Sequence, residues 1–125
     1  MIFNGLQHIG VPTKKFEQSK KFYQSLGFKL VNTEDNNGSQ VGFYQLGSLM
    51  IESWESPAEA PEKVGAINHI ALDTDDIAAA FAQVQKLDVE FVENGIQSLP
   101  YWENGIKYFN FYGPNKEIFE VCQRL

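Results

Sequence analysis

The stretches "LQHIGV" at residues 6–11 and "INHIAL" at residues 67–72 are nearly the same six-residue phrase, and they hold both histidines of the chain, His8 and His69. Each phrase is a short, mostly apolar run of the kind that forms a strand. Each leads into a polar helix start, at Thr13 in the first copy and at Thr74, Asp75 and Asp76 in the second. The helix that follows carries Phe16, Phe22, Tyr23 and Leu26 and stops at Gly27 in the first copy; in the second it carries Ile77, Phe81, Val84 and Leu87. Three more strand-like runs complete each copy. They are "FKLVNT", "QVGFYQL" and "SLMIESW" in the first half and "VEFVE", "KYFNFY" and "EIFEVCQ" in the second, with "DNNGS" and "YGPNK" as turns. The order is therefore βαβββ, twice, with "ESPAEAPEKVGA" as a linker rich in Pro, Ala and Glu. A period this long indicates two modules rather than a solenoid array. The expected fold is α+β: one domain over residues 1–125, with module 1 at about 5–54, a linker at 55–66 and module 2 at about 67–124. The two modules are expected to form a cupped mixed sheet with the helices on its outer face.

Composition sets the outer limits. A chain of 125 residues with 43% apolar content can bury one core of useful size. A net charge of −6 and a single arginine, Arg124, leave no basic stripe for a phosphate backbone, so nucleic acid is not expected as a partner. No apolar run approaches the roughly 18 residues of a membrane span, and "MIFNGLQHIG" lacks the charged and apolar regions of a signal peptide. A cytoplasmic protein without a membrane partner is expected. The one cysteine, Cys122, cannot form an internal disulfide.

Strand parity gives the histidines a direction. Alternate side chains of a strand face opposite ways, so Ile9 and Val11 share one face while Leu6, His8 and Gly10 share the other. In the second copy Ile70 and Leu72 oppose His69 and Ala71. The last strands divide alike: Leu49 and Ile51 oppose Met50, Glu52 and Trp54, and Phe119 and Val121 oppose Ile118, Glu120 and Cys122. Each module thus offers one His and one Glu on the face away from its helix. A lone strand histidine is more often a hydrogen-bonded structural residue than a ligand, and a lone glutamate usually faces water. Here 61 residues separate the histidines and 68 the glutamates, so all four stand at equivalent points of two copies. Two imidazoles and two carboxylates suit a divalent first-row transition ion, and carboxylates set among apolar neighbours need a cation or proton to offset them.

On these residues the chain resembles the vicinal oxygen chelate superfamily, which includes glyoxalase I, the bleomycin-resistance proteins and the extradiol dioxygenases. The likeness runs from "LQHIGVP" to "EIFEVCQ". In the glyoxalase I branch each module supplies a His and a Glu to a metal, and those positions fall on His8, Glu52, His69 and Glu120. In "GPNKEIFEV" Lys116 stands where the family commonly has glycine. The resemblance implies a divalent-metal-dependent lyase or isomerase of the lactoylglutathione lyase type, using Ni²⁺, Co²⁺ or Zn²⁺. It would move a proton through a metal-bound enediolate, with Glu120 as first choice for the base and Glu52 as its counterpart.

The substrate is a small molecule whose thiol the residues leave open. Glutathione and coenzyme A enzymes of this family use basic anchors, whereas this chain has Arg124 at its end, Lys107 on a strand, and Pro12 where short bacterial glyoxalases carry arginine. Aromatics at Phe43, Tyr44, Trp54, Tyr101, Trp102, Tyr108, Phe109 and Phe111 suffice to line a pocket as well as to fill a core. The alternatives are a methylmalonyl-CoA epimerase-like enzyme, which usually has glutamine at the position of Glu52, and a fosfomycin-resistance-like enzyme, which needs only His8, His69 and Glu120. Extradiol dioxygenases generally need more modules. A bleomycin-resistance-type binding protein is the non-catalytic alternative and lacks the ligands. The resemblance further implies a homodimer in which His8 and Glu52 of one chain meet His69 and Glu120 of the other.

Overall fold

Two runs of strand, helix and three strands follow one another along the chain in a computed structural model that describes residues 2 and 4–125. They form separate compact units, Met1–Glu62 and Lys63–Leu125. The first contains β1 (Ile9–Thr13), α1 (Phe16–Ser25), β2 (Lys29–Asn36), β3 (Ser39–Leu46) and β4 (Leu49–Glu55). The second contains β5 (Ile70–Asp73), α2 (Ile77–Gln85), β6 (Gln97–Leu99), β7 (Ile106–Tyr112) and β8 (Ile118–Arg124). Each unit holds one four-stranded mixed sheet, in the orders β1-β4-β3-β2 and β5-β8-β7-β6. The first strand of each unit runs parallel to the last, and the remaining pairs are antiparallel. This is the α+β arrangement of two βαβββ modules that the repeat predicts. No helix among the described residues is long and apolar enough to cross a membrane.

Each helix covers one face of its own sheet. In the first unit Tyr23 of α1 meets Tyr44 of β3 with ring centroids 5.0 Å apart, over a fully buried Ile51 of β4. In the second, Phe81 of α2 meets Phe109 of β7 edge-on at 5.1 Å, and Phe109, Phe111 and Phe119 are fully buried. Burying a side chain of this size stabilises by roughly 1.5–3 kcal/mol, so these aromatics carry much of each core. Helix α1 ends as its glycine predicts. Gly27 takes a left-handed φ of 98°, Phe28 N–H donates to Tyr23 O and Gly27 N–H to Gln24 O, which satisfies carbonyls that the last turn would leave bare. Helix α2 begins as predicted too, with Asp76 accepting from Ala79 N–H at 3.0 Å.

Three expectations are corrected. The phrases "LQHIGV" and "INHIAL" are not strands throughout: β1 and β5 start at Ile9 and Ile70, so each histidine lies just ahead of its strand. Thr13 does not start a helix but closes β1, paired in register with Glu55. Its hydroxyl accepts from Lys15 N–H and lies 2.9 Å from Ser19 Oγ, a buried pairing that holds the strand to the helix while Lys15 occupies the cap without a side-chain bond. The run "VEFVE" is not a full strand either. Glu90 O accepts from Tyr112 N–H and Val92 N–H donates to Asn110 O, but Glu93 then takes Asn110 N–H with its side chain and the ladder stops. Pairing with β7 resumes only at Gln97, as β6.

Candidate metal site

The ladder places each glutamate at the same point of its module. Glu52 stands opposite Gly10 of β1, and Glu120 opposite Ala71 of β5; each of these small residues lies two positions after a histidine. The sheet face is the one read from parity. Ile51 and Ser53 are buried under α1, whereas Met50, Glu52 and Trp54 are only partly covered on the other face. Phe119 and Val121 are likewise buried, and Ile118, Glu120 and Cys122 alternate with them. A side chain at Gly10 would meet the Trp54 ring at 3.0 Å, so the absence of a Cβ lets that ring lie close against the β1 backbone.

The four residues are brought together as two pairs. His8 Nε2 lies 3.3 Å from Glu52 Oε1, and His69 Nε2 lies 3.6 Å from Glu120 Oε2. Two ligands held at about 2.1 Å and roughly 110° apart on a tetrahedral ion stand about 3.4 Å from one another. Each pair therefore has the spacing of two neighbouring ligands. Neither pair alone is a complete set, and no group of three or more His, Cys, Asp and Glu side chains that could hold a metal forms among the described residues.

The surroundings of the two pairs differ. Phe43 stands opposite Glu52 in the β3–β4 ladder and meets the His8 ring edge-on at 6.2 Å. The equivalent partner of Glu120 is Asn110, which donates to both carboxylate oxygens of Glu93 at 2.7 Å, from its backbone and from its side chain. Cys122 shares the face of Glu120. Burial first, then the negative charges of Glu120 and Asp73, pushes its thiol above the usual range and keeps it protonated. Tyr44, Phe109 and Phe111, read above as possible pocket walls, lie fully inside the cores. Tyr101 and Trp102 are exposed on the β6–β7 loop. An opening of about 460 Å³ beside that loop, reached by Ser98, Glu103, Asn104 and Leu125, includes neither His69 nor Glu120.

A family model described as Glyoxalase/Bleomycin resistance protein/Dioxygenase superfamily matches residues 5–120. The chain belongs to this superfamily. It is 33% identical to "Uncharacterized protein YwbC" of Bacillus subtilis (strain 168), over 95% of this chain and 97% of that one. The glyoxalase family protein from Enterococcus faecalis has the same fold, with a TM-score of 0.77 at 21% identity over 98% and 99% of the two chains. So does the fosfomycin resistance protein FosX from Listeria monocytogenes, complexed with Mn(II) and sulfate, with a TM-score of 0.74 at 17% identity over 99% and 95%.

Residues that parity alone did not single out are Gln7, Asn68, Glu93 and Asn110. Gln7 and Asn68 were nonetheless visible as the carboxamides that precede both histidines. Asn110 depends on the register of β7 against β8, which no local pattern fixes.

Proposed function

We propose that this chain is a divalent-metal-dependent lyase or isomerase of the glyoxalase I type, with His8, Glu52, His69 and Glu120 as the metal ligands. The observation that supports this most is the repetition of one His–Glu pair at one point of two modules, with N···O separations of 3.3 and 3.6 Å that suit adjacent ligands. When bound, the divalent ion supplies a Lewis acid that stabilises negative charge on two oxygens of the substrate. Glu120 takes a proton from the carbon beside a carbonyl and returns it to the neighbouring carbon, with Glu52 as its counterpart. The base oxygen must come within about 3 Å of the substrate carbon that loses its proton. The four ligands are completed by pairing two copies of the chain, so that each site takes one His–Glu pair from each copy.

Four of the ten basic side chains already have partners within the chain, which weakens the case for a phosphonate or phosphate substrate. The Arg124 guanidinium lies over the Trp102 ring at 4.7 Å, Lys14 and Lys15 both engage Glu62, and Lys116 engages Glu90. An α-hydroxycarbonyl or the hemithioacetal of a small uncharged thiol therefore asks less of these groups than fosfomycin or a glutathione adduct does.

The test is solvent exchange. Protein loaded with Ni²⁺, Co²⁺, Zn²⁺ or Mn²⁺ is incubated in deuterated water with the methylglyoxal hemithioacetal of glutathione and then of smaller thiols, and substrate C–H exchange is followed by NMR. Exchange that needs the metal is expected for at least one adduct. Oxygen uptake with a catechol and no exchange would place the chain with the oxygenases, and thiol addition to or hydration of fosfomycin with no exchange would place it with the resistance enzymes.

A further inference from the structure

Both histidines are held by the residue just before them. His8 Nδ1 is hydrogen-bonded to Gln7 Oε1, and His69 Nδ1 to Asn68 Oδ1 at 2.9 Å. The same device thus appears once in each module, although one module uses the longer carboxamide and the other the shorter. A carboxamide oxygen only accepts, so the ring nitrogen facing it must carry a proton. A neutral imidazole has one proton, and placing it on Nδ1 leaves Nε2 with a bare lone pair. That lone pair faces Glu52 in one ring and Glu120 in the other, at 3.3 and 3.6 Å. These separations exceed the roughly 2.7–2.9 Å of a charge-assisted N–H···O bond, so the carboxamide is the better seat for the proton.

We propose that Gln7 and Asn68 are positioning residues that hold His8 and His69 in the Nδ1–H tautomer and so present Nε2 to a divalent cation. This inference rests on the metal reading given above. For a neutral imidazole, the arrangement that satisfies all the groups of each pair is a proton between Nδ1 and the carboxamide and a cation between Nε2 and the carboxylate. Gln7 and Asn68 touch neither ion nor substrate; they act through the ring. Outer partners of this kind typically account for roughly 10- to 100-fold in metal affinity.

The chain has two histidines, so a ¹⁵N-histidine-labelled sample gives only four imidazole nitrogen signals. Long-range ¹H–¹⁵N spectra are recorded at about pH 8, above the ordinary histidine range, first metal-free and then through a Zn²⁺ titration. The variants are Gln7→Met and Asn68→Leu, which keep bulk without an acceptor, and Gln7→Glu and Asn68→Asp, which restore one. The expected result is protonation at Nδ1 in both rings of the parent chain. Gln7→Met should alter only the His8 signals, Asn68→Leu only those of His69, and each should weaken Zn²⁺ binding roughly 10- to 100-fold. Gln7→Glu and Asn68→Asp should restore the Nδ1–H form. Unchanged tautomers and unchanged Zn²⁺ affinity in Gln7→Met and Asn68→Leu would overturn the proposal. If Zn²⁺ shifts no imidazole signal of the parent chain, the metal reading fails; the metal-free tautomers of the parent and variants still decide whether Gln7 and Asn68 set the ring proton.

Discussion

Asn110 stands directly across the β7–β8 ladder from Glu120, and Glu93 grips it through both its backbone and its side-chain nitrogen at 2.7 Å. Two charge-assisted bonds to a buried asparagine join the interrupted edge of the second sheet to the strand beside the candidate base. Losing a hydrogen bond to a charged group costs about 1.5–3 kcal/mol. Glu93→Ala should therefore lower unfolding stability by at least about 2 kcal/mol, read as a lower urea midpoint at unchanged slope. Glu93→Gln, which keeps one acceptor, should lose less. Equal stability of Glu93→Ala and the parent chain would show that the contact does not hold the edge.

Alkaline stability follows from Tyr44. Its side chain is fully buried, and burial, with a smaller contribution from the charge of Glu17, pushes the phenol up to about 12 from an ordinary value near 10. The folded chain then resists ionisation that the unfolded chain undergoes. The stabilisation is complete below about pH 10 and is lost as pH rises from there toward 12, by an amount on the order of 2 kcal/mol. Melting curves between pH 9 and 11.5 should show a steeper fall for the parent chain than for Tyr44→Phe. Parallel falls would mean that Tyr44 ionises as easily folded as unfolded.

Under the proposed function, kinetics should separate the two glutamates. Glu120→Gln should lower kcat by at least ~10²-fold while metal is partly retained, the scale expected when a general base is lost. Glu52→Gln should reduce metal content more than it changes the rate of the molecules that remain loaded. A reversal of the two patterns would assign the base to Glu52.

Assembly is read by mixing inactive variants. If each site takes one pair from each of two copies, a heterodimer of His8→Ala and Glu120→Ala collects both lesions in one site and leaves the other intact. Activity should return to about half that of the parent for such heterodimers. No recovery after full exchange of subunits would mean that the four ligands come from one chain.

Local chemistry made most of the fold legible. Glycine at 27, Asp76 at a cap and the alternation around Ile51 and Phe119 act within a few residues, and each element they mark is present. The misread elements depend on distant partners. "VEFVE" has strand composition, but the Glu93 side chain competes for the N–H that a strand partner would use. Thr13 has the composition of a cap, but its ladder partner Glu55 and its buried contact with Ser19 hold it in the strand. The His and Glu of each pair were legible because the repeat doubled a weak signal. Gln7 and Asn68 were visible only as a repeated carboxamide before each histidine, with no pattern that gave them a role, and Asn110 and Glu93 depend on strand register. Lys116 departs from the family's glycine at a backbone φ of 62°, the left-handed region that glycine enters without strain.

The most direct test of the account is metal content set against the two histidines. Elemental analysis after mild purification, with calorimetric titration of Ni²⁺, Co²⁺ and Zn²⁺ into stripped protein, should give about one ion per chain and a raised melting temperature for the loaded parent. His8→Ala and His69→Ala should each abolish both, because each removes one of the four proposed ligands. A parent chain that holds no divalent ion, or variants that hold it as well as the parent, would contradict the assignment of the His8–Glu52 and His69–Glu120 pairs as a metal site.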